Sequence, residues 1–87
     1  MMSSYEKAQR GITLLKSAVY EMLKEAGENG LRNVDLGKSL GIYAGHIGHQ
    51  GHIPRTVLEL LRSEGVAEQH GDKKWRLVQS DHEEDSE

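Results

Sequence analysis

Three histidines recur at a spacing of three, each behind a glycine: Gly45-His46, Gly48-His49 and Gly51-His52. Imidazole nitrogens bind zinc, copper or nickel, and three of them leave a coordination position open. On a helix the three would run along one side at i, i+3 and i+6, but each glycine there costs about 1 kcal/mol relative to alanine. Metal-binding helices use i, i+4 pairs, and no Cys, Asp or Glu lies within the cluster. No metal and no cofactor are therefore expected, with His46, His49 and His52 as the ligand candidates if one binds. The run reads better as an open turn whose glycines permit tight backbone paths. Imidazoles and glycine N–H groups also suit contacts to phosphate, which histidine charge would make pH-dependent.

A second set of residues carries hydrogen-bonding chemistry of another kind. Gln50, His52, Arg55, Thr56 and Arg62 lie on or just before the Leu-rich segment Val57-Leu58-Glu59-Leu60-Leu61. Arg reads guanine edges, Gln reads adenine, and Thr does either or touches a methyl group. Lys73, Lys74 and Arg76 cluster further on, and Arg32 and Lys38 precede the histidine run. Such cations suit phosphate contacts, although each also serves as an ordinary solvated charge. Glu59 opposes the pattern, because it repels phosphate unless it accepts from a cytosine. Catalysis is not expected: no nucleophile motif surrounds Ser39 or Ser63, and no GxxxxGK[ST] phosphate loop is present.

These residues need a scaffold, and 87 residues supply one small domain. There is no Phe and a single Trp, so Leu, Ile and Val must fill the core. No Cys is present, which removes disulfides and thiolate zinc sites and is consistent with the cytoplasm. No apolar run approaches the roughly 18 residues that cross a membrane, and Met1–Glu6 lacks a basic-then-apolar leader. The net charge is −3, but five acids fall in residues 81–87, which contain no Lys or Arg. The remainder has 11 basic and 9 acidic residues, a net of +2. Residues 1–80 thus read as one weakly basic domain, and 81–87 as a disordered acidic tail.

The elements follow from local signals. Ser3 and Glu6 form a capping box, and Ala8, Ile12, Leu15, Val19, Met22, Leu23 and Ala26 fall at helical spacing. The first helix is expected from about Ser4 to Ala26, stopped by Gly27. Leu31 and Arg32 read as a short strand or extended link. Asn33 suits an N-cap, giving a short second helix from about Val34 to Leu40 that ends at Gly41. The third helix is expected over about 54–64, with Pro54 at its first position or a Thr56–Glu59 capping box, and Gly65 as its stop. Val57, Leu58 and Leu61 make its core stripe. Two strands flank Gly71-Asp72-Lys73, where Gly and Asp tolerate the positive φ of a tight hairpin. On the second strand Trp75 and Leu77 share one face and Arg76 takes the other.

From Gly30 to Val78 this order resembles the winged helix-turn-helix superfamily. Gly30-Leu31-Arg32-Asn33-Val34-Asp35-Leu36 leads into the second helix, and Arg55 to Glu64 stands where the recognition helix would be. Gly65-Val66-Ala67-Glu68 and the hairpin bearing Lys73, Lys74, Trp75 and Arg76 follow. The resemblance implies an α+β, mainly α fold of three helices with a C-terminal two-stranded wing. It implies double-stranded DNA as partner, read by the third helix in the major groove and by a basic wing at about 71–76, in a small transcriptional regulator. The DNA-contact set is then Gln50, His52, Arg55, Thr56, Arg62, Lys73, Lys74, Arg76, Arg32 and Lys38. A second copy is expected to pair through the first helix, and no membrane is involved. The alternative is a protein-interaction module of the same fold that binds no DNA. The connection between the second and third helices departs from the pattern, with about a dozen residues where a few are usual.

Overall fold

The computed structural model describes residues 1–44 and 50–79. Helix α1 spans Ser4–Ala26, and its reciprocal capping box is formed: the Glu6 N–H donates to Ser3 Oγ at 3.1 Å and the Ser3 N–H donates to Glu6 Oε1 at 2.9 Å. Val19 and Leu23 on α1 are buried, with Leu15 and Met22 packed beside them. The chain leaves through a short 3-10 turn, Gly27–Asn29, and passes Leu31, which makes a one-residue antiparallel bridge with Trp75. Both backbone bonds of that bridge form, Leu31 N to Trp75 O at 3.0 Å and Trp75 N to Leu31 O at 2.7 Å. The expected extended link is therefore part of the sheet layer.

Helix α2 covers Asn33–Ser39 and α3 covers His52–Ser63. Strands β1 (Ala67–Gln69) and β2 (Trp75–Leu77) pair antiparallel, with Ala67 opposite Leu77 and Gln69 opposite Trp75. Three helices with a small two-stranded antiparallel sheet make the fold α+β and mainly α. No helix among the described residues is long and apolar enough to cross a membrane.

One cluster holds these elements together: Val19, Leu23, Leu36, Val57, Leu58, Leu61, Ala67 and Trp75. The expected stripe of α3 is buried, and Trp75 and Leu77 share the inward side of β2. Each fully buried aliphatic side chain here is worth about 1.5–3 kcal/mol. Both inner helices end alike. The N–H of Gly41 bonds Lys38 O and that of Ile42 bonds Gly37 O; the N–H of Gly65 bonds Arg62 O and that of Val66 bonds Leu61 O. This is the Schellman pattern, and it requires the left-handed φ of +72° at Gly41 and +78° at Gly65.

Three local expectations are corrected. First, α3 begins two residues before Pro54, behind Gly51 in a left-handed conformation, so Pro54 is the third helical residue and is buried. Neither the Pro54 start nor the Thr56 capping box sets this end. Second, Arg32 rather than Asn33 occupies the N-cap of α2 and provides no side-chain cap. Asn33 is the first helical residue, and its amide is used elsewhere. Third, the positive φ in the hairpin belongs to Lys73, at +68°; Gly71 and Asp72 have no positive φ. The Lys73 N–H bonds His70 O and the His70 N–H bonds Lys74 O, which makes a tight turn followed by a left-handed residue.

Candidate functional site

The connection from α2 to α3 runs from residue 40 to residue 51, confirming its unusual length. Residues 45–49, with His46 and His49, lie outside the described residues, as does the acidic tail. The residues on either side of 45–49 are tied to each other. The Gly51 N–H donates to Ala44 O at 3.2 Å, and Asn33 Nδ2 donates to Gly51 O at 3.1 Å. Tyr43 lies against this tie so closely that a Cβ on Gly37 would stand 3.0 Å from its ring and one on Gly51 2.7 Å. Pro54 closes the other side, 2.8 Å from the same point on Gly37. Asn33 Oδ1 is buried with no hydrogen-bond partner among the described residues, so the bond to Gly51 is kept against a desolvation cost of about 1–3 kcal/mol. Sequence reasoning missed Asn33, Gly37 and Tyr43 as a unit. No local signal links them, because they meet only through the tertiary fold.

The solvent face of α3 carries His52, Arg55, Thr56, Glu59, Arg62 and Ser63, with Gln50 exposed just before it. Arg62 is exposed but ion-paired: its guanidinium donates to Glu59 Oε1 at 2.6 and 3.0 Å and lies over the Trp75 ring, 5.5 Å from its centroid. The pair neutralises the last turn of the face, while the first turns keep Arg55 beside His52 and Thr56. Lys38 sits 5.7 Å from the Tyr43 ring, and Arg32 is exposed at the start of α2. Among the described residues Arg32, Arg55 and Lys73 form no ion pair.

The hairpin divides its cations by task. Arg76 is built into the scaffold: Nε donates to Glu28 O at 2.7 Å, and the terminal nitrogens donate to Asn29 O and to both Asp72 oxygens. The Lys74 backbone N–H donates to the same Asp72 carboxylate, at 3.0 Å. The Arg76 guanidinium first, and the Lys74 amide second, hold the Asp72 carboxyl well below the usual carboxylate range. Lys73 stands at the exposed tip. A left-handed φ costs an L-residue about 1 kcal/mol that glycine avoids.

The sign of the pH effect follows from that depressed pKa. Asp72 stabilises the hairpin while it is ionised, above the unfolded value near 3.8. That contribution is lost as the pH falls through and below this value. The pair is solvent-exposed, so the effect is small. Amide exchange of Trp75 and Lys74, followed by NMR from pH 6 to pH 2, should show the hairpin loosening on acidification. The Asp72→Asn variant should be loosened already at pH 6 and respond less; equal responses would disprove the role given to Asp72.

Among the described residues no three His, Cys, Asp or Glu side chains come together to hold a metal ion. The candidate residues thus fall at three exposed places: the first turns of α3, the Ala44–Gly51 tie beside them, and the lysine-tipped hairpin. No protein-family model, curated protein or solved structure matches this chain.

Proposed function

We propose that the chain is a winged helix-turn-helix protein that binds duplex DNA, as a small cytoplasmic transcriptional regulator. In this reading α3 enters the major groove by its first turns, where Arg55 and Thr56 meet base edges and Gln50 and His52 contact the flanking backbone. The hairpin is the wing, with Lys73 and Lys74 on phosphates. Arg32 and Lys38 add backbone contacts from α2. Arg62 and Arg76 hold the wing against α3 and the turn after α1, so they position the contacting residues.

The observation that carries the reading is Lys73. A lysine is kept at a solvent-exposed, left-handed position where glycine is the less strained residue. Strain of this kind marks sites where the side chain is used. The extended Leu31 paired to Trp75 supports the reading too, because it completes the element order of the superfamily.

Fluorescence anisotropy with a generic duplex in about 50 mM salt tests the proposal, since non-specific affinities near 10⁻⁴ to 10⁻⁶ M are usual even at physiological salt. No binding at tens of micromolar would end it. The Lys73→Gly variant gives a sharper prediction, because stability and affinity should move in opposite directions. The variant should be more stable to urea by up to about 1 kcal/mol, because relief of about 1–2 kcal/mol of left-handed strain exceeds glycine's unfolded-state entropy cost of about 0.4–1 kcal/mol. It should bind more weakly, with the slope of log affinity against log salt smaller by about one. Weaker binding without the gain in stability would refute the strain argument; a gain in stability without weaker binding would remove Lys73 from the interface. The Glu59–Arg62 pair favours a second reading, a protein-interaction module of the same shape, which absence of DNA binding would leave standing.

A further inference from the structure

We infer that the chain forms a symmetric dimer in which Tyr5 of each copy seats in the groove between α1 and α3 of the other. The inference does not rest on DNA binding. It begins with a seam on α1. Tyr5, Ala8, Ile12, Leu15, Val19, Met22 and Ala26 follow an alternating three–four spacing without a break, the pattern of a helix seam that pairs along its whole length. The domain covers only part of it. Val19 is buried and Leu15, Met22 and Ala26 are half-buried, whereas Ala8 is exposed and Tyr5 is 73% exposed. The first two turns of α1 therefore carry the seam beyond the elements that cover the rest.

Gly11, on the flank of that seam, points the same way. It lies inside an exposed helix, where glycine costs about 1 kcal/mol relative to alanine. A Cβ placed there would meet nothing within 4 Å. Nothing among the described residues explains the absence of a side chain, whereas close approach of an outside helix does.

The groove supplies the other half of the contact. It is apolar, about 210 Å³, and lined by Ile12, Leu15, His52, Ile53, Thr56 and Val57. An apolar cavity of about 150 Å³ holds a benzene ring, so one tyrosine ring fits. Ile12 and Leu15 belong to both the seam and the groove, so one patch contains both the inserting and the receiving surface. That is the requirement for a two-fold interface.

The charges select a second copy as the occupant. Close to a two-fold axis each residue faces its own equivalent, and a charge there would repel itself. Ser4, Tyr5, Ala8, Gln9, Gly11 and Ile12 on this side of the helix are uncharged, and helical spacing turns Glu6, Lys7 and Arg10 away from it. Two tyrosines bury about 150–250 Å² each. With the exposed parts of Ala8, Ile12 and Ile53 from both copies, the contact stays below the roughly 1,200 Å² of a standard interface, so the dimer is a weak, reversible one. Arg55 and Arg62 lie on the flank of α3 away from Ile53 and Val57, so the seat leaves them uncovered; His52 and Thr56 line the seat, so in the dimer the DNA contacts from the start of α3 fall to Gln50 and Arg55.

Sedimentation equilibrium of the full chain, up to about 0.5 mM, is the test, with the expected Kd in the micromolar range. Tyr5→Ala and Ile53→Asp should each raise the dimer Kd by at least about tenfold. Both side chains are exposed in the single chain, so circular dichroism should show the fold unchanged. Gly11→Gln should also weaken the dimer while raising the helicity of the isolated chain. A chain that stays monomeric throughout overturns the inference, and so does a dimer indifferent to all three substitutions. Either result leaves the DNA proposal untouched, since the anisotropy measurement is read independently.

Discussion

Trp75→Ala should lower the stability of the chain by about 3–5 kcal/mol, the usual cost of deleting a large buried aromatic side chain. A domain of this length has only about 4–13 kcal/mol in total, so the loss is a substantial share of its stability. Three features make this the most sensitive position. The indole is 2% exposed and belongs to the one apolar cluster that joins all the elements. Its backbone closes the bridge to Leu31. Its ring also carries the Arg62 guanidinium. Trp75→Phe should cost markedly less, because it keeps an aromatic surface and the backbone bonds. Urea unfolding followed by far-ultraviolet circular dichroism decides the matter. A loss below about 1 kcal/mol for the alanine variant would show that the hairpin is dispensable to the core.

Gly51→Ala is the second large effect, expected at about 2–4 kcal/mol from the combination of strain and overpacking. At +89° the backbone is already in the left-handed region, and the new methyl group would lie 2.7 Å from Tyr43 and 2.8 Å from the Asn33 amide. Displacing Tyr43 would strip the cover from Gly37, and displacing Asn33 would break its bond to Gly51 O. The comparison that isolates the clash is a double substitution. In a Tyr43→Ala background the same change should cost less, because only the backbone strain remains, giving a coupling of about 1 kcal/mol or more. Equal costs in the two backgrounds would show that Tyr43 does not press on Gly51.

The contrast between α1 and α3 explains what the sequence disclosed. The limits of α1 were readable because each is set by adjacent residues: Ser3 and Glu6 cap one end, and Gly27 releases the other. The start of α3 was not, because no side chain caps it. Gly51 is placed there by Asn33, eighteen residues earlier, and by Tyr43. For the same reason Asn33 was mistaken for a cap. Its residue type is right for one, but the acceptor that recruits its amide arrives from another part of the chain. In the hairpin the residue types Gly-Asp-Lys marked the turn, yet their order alone did not reveal that the third loop position takes the left-handed conformation. The candidate contact residues on α3 were legible from the spacing of Val57, Leu58 and Leu61, which leaves their neighbours outside. The separate fates of the arginines were not, since the backbone acceptors of Arg76 lie 47 and 48 residues away.

The Ala44–Gly51 tie in the α2–α3 connection also bears on how this fold tolerates change. Closing a loop costs entropy that grows only with the logarithm of its length, roughly 0.6 kcal/mol per doubling. A twelve-residue connection in place of a three-residue one is thus penalised by only about 1.2 kcal/mol. Two backbone ties at Gly51 and the packing of Tyr43 are enough to offset that. Since Ala44 and Gly51 are joined to each other, α2 and α3 are insulated from the length of the segment between those two residues. Here the scaffold could gain or lose residues between two helices over the course of evolution while its core stayed as it is.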